Sequence, residues 1–212
     1  MDRLLRIAFA ATLLAGGCGD AAEPGAPNKP DSGTLHDAPS RVLARLVGGV
    51  EETDVRVAIL LGADKVRLFF CGGAESYATA TRWFNLEADH EDVEFEDDTW
   101  RIHAHVLFDT LLGEVERTGD AARMFKAHRF DPTTLTGLYE GEADCGRLGL
   151  IVTQDTDGNV TAQGACTGSA GKRPQQVKLI EPITSEEGMI RVPTPGRPGG
   201  TTLLRPAGLE PL

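Results

Sequence analysis

Residues 55–71, VRVAILLGADKVRLFFC, form the first clear hairpin pattern of this sequence. Apolar residues alternate on both sides of a turn at 63–64, which predicts antiparallel strands over 55–61 and 65–71. This turn brings three pairs of apolar residues together: Leu61 with Val66, Ile59 with Leu68, and Val57 with Phe70. Because one face of the hairpin is wholly apolar, burial specifies its register.

The same strand-like pattern continues over residues 41–192. Turn signals recur about every eight to twelve residues, a third strand is expected at 76–84, and only 40–47 could form a short helix. About ten short antiparallel strands predict an all-β meander, closed or nearly closed into a barrel, because closure removes exposed sheet edges. A two-sheet β-sandwich is the alternative, since strand order cannot be read from one sequence.

A second hairpin is predicted over 90–96 and 99–108, with its turn at 97–98. Its apolar face pairs Phe95 with Trp100 and continues in the same register. The polar face would then hold three cross-strand pairs: Glu94 with Arg101, Asp92 with His103, and His90 with His105.

Four residues of this polar face form a candidate metal site: His90, Asp92, His103 and His105. Three imidazoles and a carboxylate are suitable ligands for zinc or copper. The alternative is a solvated, charged face in which the same residues form cross-strand pairs.

A third hairpin is predicted over 146–153 and 159–166. Its register brings two pairs together: Ile151 with Val160, and Cys145 with Cys166. Directly opposed strand residues lie near disulfide distance, and thiols outside the cytoplasm are usually paired, so we expect this disulfide. Cys71 is then free, or it is the true partner of one of these two cysteines.

The N-terminal residues 1–17 have the layout of a secretory signal, with two arginines before an apolar stretch over 7–15. Small residues lead directly into Cys18, and this ending resembles that of bacterial lipoprotein signals. The resemblance implies removal of the signal, a lipid on Cys18, and a bacterial envelope protein that faces the periplasm or the exterior. A plain signal peptide, with Cys18 an ordinary thiol, is the alternative.

Two further segments complete the predicted organisation around the β domain at 41–192. Residues 18–40 are rich in Ala, Pro, Gly and Asp, a composition that predicts a disordered tether. Residues 193–212 are rich in Pro and Gly, which predicts a tail without regular structure.

Five short motifs lie within residues 57–143: VRLFFCGG, TRWF, GEVE, MFKAHRF and GLYEGEA. Together they resemble a group of functionally uncharacterised bacterial secreted β-meander proteins. The resemblance implies an all-β module outside the cytoplasm and brings no activity with it.

The whole chain has a net charge of −11, and removal of residues 1–17 leaves 19 basic and 31 acidic residues. An anionic surface repels nucleic acid and anionic headgroups, so we expect no nucleic-acid partner. Membrane contact is expected only through the lipid anchor, since no other segment is long enough to span a bilayer.

Three further features have a functional and a structural interpretation. Cys71 could be a reactive thiol near arginines, or a structural cysteine. The loop 155–159 resembles part of a calcium site, but its composition is that of a hairpin turn. Four aromatic residues could line a ligand pocket in a barrel mouth, although core packing is the default: Trp83, Phe84, Trp100 and Tyr139.

No enzyme motif is present in the sequence, and we name no catalytic residue. The expected function is therefore a lipid-anchored binding or envelope-interaction module without catalysis and without a required cofactor. A metal-binding lipoprotein that uses the three histidines is the alternative, and a cryptic hydrolase is a third possibility.

Overall fold

The computed structural model describes residues 41–87, 92–168, 173–177, 179 and 183–210. The predicted signal, Cys18 and the predicted tether lie outside these residues. Within them the fold is all-β, as predicted, with a single helical turn, α1, at Tyr77–Ala80.

Fifteen strands form two antiparallel sheets in the described residues. The first sheet contains β1 (Ala44–Val50), β2 (Arg56–Leu61), β3 (Lys65–Cys71), β4 (Arg82–Glu87), β5 (Asp92–Glu96), β6 (Trp100–Leu107), β7 (Thr110–Arg117) and β8 (Arg123–Arg129). The second contains β9 (Gly137–Ala143), β10 (Gly146–Gln154), β11 (Val160–Thr167), β12 (Gln175–Gln176), β13 (Ser185–Glu186), β14 (Met189–Pro193) and β15 (Thr201–Pro206).

The first sheet is a meander whose first and last strands pair, so that it curls into a nearly closed barrel. Its strand order is β4-β3-β2-β1-β8-β7-β6-β5. At the remaining gap, the rings of Phe84 and Phe95 lie 5.0 Å apart, and Arg82 forms an ion pair with Asp97 at 2.7 Å. The predicted barrel is therefore confirmed for this half of the chain.

The second sheet is an open meander in the order β12-β11-β10-β9-β15-β14-β13. Its strand β15 lies within residues 193–212, the segment for which the sequence predicted no regular structure. Pairing with β9 and β14 explains this difference, because two partner strands satisfy backbone groups that the local sequence would leave to solvent.

Strands β2 and β3 are buried on both faces. Their inward residues, including Ile59 and Phe70, fill the barrel. Their outward residues, including Leu60 and Phe69, pack against the second sheet through residues such as Ile151. This double burial explains the nearly continuous apolar run over 55–71.

The first hairpin has the predicted register, but the other two differ because their turns lie further along the chain than predicted. In the second, Phe95 pairs with Ile102 because the two-residue turn lies at 98–99, where the Asp97 carboxylate accepts N–H bonds from residues 99 and 100. In the third, Ile151 pairs with Gln163. Here Asp155 organises a five-residue loop by accepting backbone N–H bonds from Asp157 and Asn159.

The predicted disulfide joins Cys145 and Cys166, with their Cα atoms 6.1 Å apart. The sequence had predicted that these two cysteines lie directly opposite each other in the ladder, and this prediction is wrong. Cys166 pairs with Leu148, whereas Cys145 lies in the turn between β9 and β10. The right pair therefore followed from a register that was wrong.

Two local expectations were also wrong. Residues 44–47 belong to β1 and form no helix, because β1 pairs with both β2 and β8. The expected strand over 76–84 begins only at Arg82 and is preceded by α1. Hydrogen bonds from residues 75 and 76 to Asp54 hold this loop in place.

Removing the disulfide is expected to destabilise the second sheet. Replacing both cysteines with serine should lower the free energy of unfolding by about 3 kcal/mol, because the bond closes a loop of moderate length in the unfolded chain. Urea unfolding of the variant and of the parent, with and without a reductant, measures this loss. Equal stability of reduced and oxidised parent protein would contradict it.

Candidate functional site

A cavity of about 460 Å³ lies at one end of the barrel, in its mouth. The mouth is formed where β1, β3 and β7 end, where β2, β6 and β8 begin, and by α1. The residues that line it are Val50, Thr53, Val55, Phe70, Ser76, Thr79, Ala80, Trp100, Val115, Arg117, Gly119, Asp120, Ala121 and Arg123.

The floor of the mouth is apolar because it consists of inward-facing residues at strand ends. Trp100, at the start of β6, packs its ring against Phe70 at 5.8 Å and Phe84 at 5.4 Å. Phe70 also contacts Phe125, with ring centroids 5.4 Å apart. These aromatic rings fill the barrel below the floor, so the cavity is a cup at the mouth and does not continue into a deep lumen.

Two arginines stand on the rim of the mouth. The Arg117 guanidinium lies 5.4 Å from the centre of the Trp100 ring, and its Nη1 contacts Asp120 Oδ2 at 3.2 Å. The Arg117 Nε–H is buried and has no hydrogen-bond partner among the described residues. Arg123 forms an ion pair with the exposed Glu52 at 3.0 Å.

Asp54 holds the wall of the mouth that contains α1. Its carboxylate accepts hydrogen bonds from the Ser76 hydroxyl and from the Glu75 N–H. Partial burial acts to raise the pKa of Asp54, but these hydrogen bonds outweigh it and leave the pKa below its ordinary value. The ionised carboxylate thus fixes the loop against the barrel.

The predicted metal-site residues lie elsewhere, on the exposed outer face of β5 and β6. Asp92 is hydrogen-bonded to His105, and His103 Nε2 lies 3.6 Å from Glu94 Oε1. The expected pairs of Asp92 with His103 and of Glu94 with Arg101 are therefore wrong, because the hairpin register differs from the predicted one.

The two described histidines of the set are neighbours on one strand, with the rings of His103 and His105 4.6 Å apart. His90 lies outside the described residues. Among the residues that the structure does describe, no three or more His, Cys, Asp or Glu side chains are grouped to hold a metal ion. A metal site here stays a prediction that depends on His90.

Only one of the four candidate pocket aromatics, Trp100, lines the mouth. Phe84 lies beneath it in the barrel core. Trp83 lies outside the barrel against the guanidinium groups of Arg67 and Arg147, at 4.4 and 4.1 Å from its ring centre. Tyr139 belongs to the core of the second sheet.

The remaining candidates have structural roles. Cys71 is a free, fully buried thiol, and burial raises its pKa to about 12, so it is not a thiolate at neutral pH. Asp155 directs its carboxylate into its own turn, where it also accepts a bond from the Asn159 side chain. The turn interpretation of the loop 155–159 is therefore confirmed.

Sequence reasoning missed the rim residues Arg117 and Arg123, because arginines at strand ends are common on any protein surface. No known protein-family model matches this chain, and no curated protein is significantly similar to it. In the part of the chain that the structure describes, none of the helical structure is long and apolar enough to cross a bilayer.

Proposed function

We propose that this protein is a lipid-anchored binding protein of the bacterial envelope that holds a small amphipathic ligand in the barrel mouth. The observation that carries this proposal is the cavity itself. Its volume of about 460 Å³ lies in the range of small-molecule sites, and it combines an apolar floor with a few convergent polar groups.

The chemistry of the rim favours a ligand with an acidic group. An apolar or aromatic moiety would lie on Trp100 and Val115, and a carboxylate, sulfonate or phosphate would accept from the Arg117 guanidinium. The present partner of Arg117, Asp120, is mostly exposed, so this ion pair is weak and a ligand anion can replace it. Binding would also satisfy the buried Nε–H of Arg117.

The lining of the mouth supports binding over hydrolysis. The described residues that form it include Ser76 but no histidine or cysteine. The Ser76 hydroxyl donates to Asp54, which ties it to the wall of the mouth. A nucleophile of the serine type would need a base within hydrogen-bond reach and a place for an oxyanion.

A matched pair of fluorescent probes tests this proposal. The anionic probe 1-anilinonaphthalene-8-sulfonate and the neutral N-phenyl-1-naphthylamine share an aromatic framework and differ in the sulfonate. We expect both to bind the parent protein, and Arg117→Met to weaken the anionic probe about tenfold with little effect on the neutral one, because one charge-assisted hydrogen bond is lost.

Two further variants serve as controls, with binding measured by calorimetric titration. Ala121→Trp fills the mouth from an exposed position and should abolish binding of both probes. Arg129→Met removes an exposed arginine at the far end of β8 and should change neither. Undiminished binding to Ala121→Trp would place the probes elsewhere and contradict the proposal.

A further inference from the structure

The tip of the β6–β7 hairpin displays two apolar side chains to solvent. Leu107 is 47% exposed and Phe108 is 100% exposed. Phe108 also has a φ of +55°, a backbone conformation that bulky residues rarely adopt. A strained residue whose ring contacts nothing in the fold suggests a role outside folding.

This tip lies at the end of the barrel opposite the mouth. Strand β6 starts at the mouth with Trp100 and runs for eight residues, roughly 25 Å at the usual rise of a strand. The Arg129 N–H donates to the Asp109 carbonyl at 2.7 Å, which joins the tip to the end of β8. Arg129 in turn pairs with Leu46, near the beginning of β1.

The chain enters the barrel at this same end. The described residues begin at Arg41, just before β1, and Leu43 beside it is 58% exposed. Residues 19–40 precede them and lead back to Cys18. The segment that would carry the lipid therefore joins the barrel at the end that holds the hairpin tip.

We infer that Leu107 and Phe108 form a second membrane contact, a wedge that enters the interface of a phospholipid bilayer while the mouth faces away from it. This inference rests on the lipid anchor of the proposed function. Apolar and aromatic side chains are favoured at the boundary between headgroups and acyl chains. The 19 basic and 31 acidic residues that remain after removal of residues 1–17 leave a net negative charge, which indicates zwitterionic headgroups as the surface that is met.

The wedge depends energetically on the lipid anchor. Two apolar side chains bury too little area to hold an untethered protein on a bilayer. A short chain to a lipidated cysteine keeps the tip at a high effective concentration near the surface, so that a weak contact becomes populated. The contact would orient the barrel so that ligands reach the mouth from the aqueous side.

Depth-dependent quenching tests the contact in the full lipidated protein, reconstituted in phosphatidylcholine vesicles that contain doxyl-labelled lipids. Phe108→Trp places a fluorophore at the tip, and its emission should be quenched by doxyl groups near the headgroups, above the level seen for the parent tryptophans. A matched variant, Thr156→Trp, labels the exposed tip of the β10–β11 hairpin.

The Thr156 position is a control for the opposite end of the barrel. Arg56, which begins β2 at the mouth, donates to Thr153 and Thr161 at the base of that hairpin, at 3.2 and 3.1 Å. We expect no added quenching for Thr156→Trp.

Phe108→Gly should unfold at the same temperature as the parent or higher, because glycine adopts this φ without strain.

The outcomes separate the wedge from the anchor. Lipidated protein that floats with the vesicles, but whose Trp at 108 is quenched no more than the Trp at 156, would overturn the wedge alone. A mass spectrum without lipid on Cys18 would overturn the anchor and the inference that rests on it. Selective quenching at 108 in the lipidated protein would support both.

Discussion

Replacing Glu140 with alanine is expected to lower the free energy of unfolding by about 3–5 kcal/mol, because it leaves a buried arginine without its counter-charge. Glu140 and Arg67 have side chains that are each only 1% exposed, and they form a two-point ion pair. Arg147 joins the same carboxylate at 2.6 Å. This cluster lies where the outer face of the barrel meets the second sheet.

The loss should be large because Arg67 connects three parts of the chain. It lies on β3, its partner Glu140 lies on β9, and its Nη1 also donates to the carbonyl of Gly208 at 2.5 Å. Burial lowers the pKa of Arg67, and the negative charge of Glu140 acts against that shift. Without Glu140, the buried guanidinium loses the interaction that keeps its charge favourable.

Urea unfolding monitored by tryptophan emission measures this effect. The surface pair Glu96–Arg101 offers a matched control, because both side chains are more than half exposed, so Glu96→Ala should have a far smaller effect. The double variant Arg67→Met with Glu140→Leu should recover much of the lost stability, since it removes both of the fully buried charges and leaves only the partly exposed Arg147. Equal losses for Glu140→Ala and Glu96→Ala would refute the argument.

Replacing Gly48 with alanine is expected to destabilise the barrel by about 3 kcal/mol or more, at the upper end of what overpacking causes. A Cβ at this position would lie 1.7 Å from the Lys126 carbonyl oxygen and 2.6 Å from the Ala127 Cα. Both are backbone atoms of β8, and they cannot rotate away as a side chain could. The strands β1 and β8, which close the meander, would have to separate.

The neighbouring glycine provides the control on the same strand. The nearest contact of a Cβ at Gly49 is the Val55 carbonyl oxygen at 3.4 Å, which is an ordinary separation. Gly49→Ala should therefore unfold at nearly the same urea concentration as the parent. The expectation fails if the two alanine variants lose the same stability.

The candidate site shows how far sequence reasoning reaches. Trp100 was named among four aromatics of a possible barrel mouth, although core packing was the default interpretation for all four. The rim residues Arg117 and Arg123 were missed, since nothing in their local sequence distinguishes them from other surface arginines. The β6–β7 pairing sets Arg117 directly opposite Trp100, and the β7–β8 pairing sets Arg123 opposite Val115 at the same mouth.

The registers show the same limit on a smaller scale. A period of two and a turn of two residues determined the first hairpin correctly, because any slip would expose its apolar face. In the other two hairpins, Asp97 and Asp155 accept backbone N–H bonds and hold the turn further along the chain than predicted. Such hydrogen bonds depend on a local backbone geometry that residue type alone does not specify.

The sequence was enough to predict that this chain is all-β and that residues 55–71 form a hairpin, and it favoured a bond between Cys145 and Cys166 while leaving Cys71 as an alternative partner. These properties are local, because they follow from alternation, turn residues and thiol chemistry. Tertiary structure alone decided the second sheet, the strand β15, the Arg67–Glu140 pair and the mouth. The first three of these depend on the meeting of the two sheets, in which β2 and β3 gain burial on both faces, whereas the mouth depends on the curling of the first sheet.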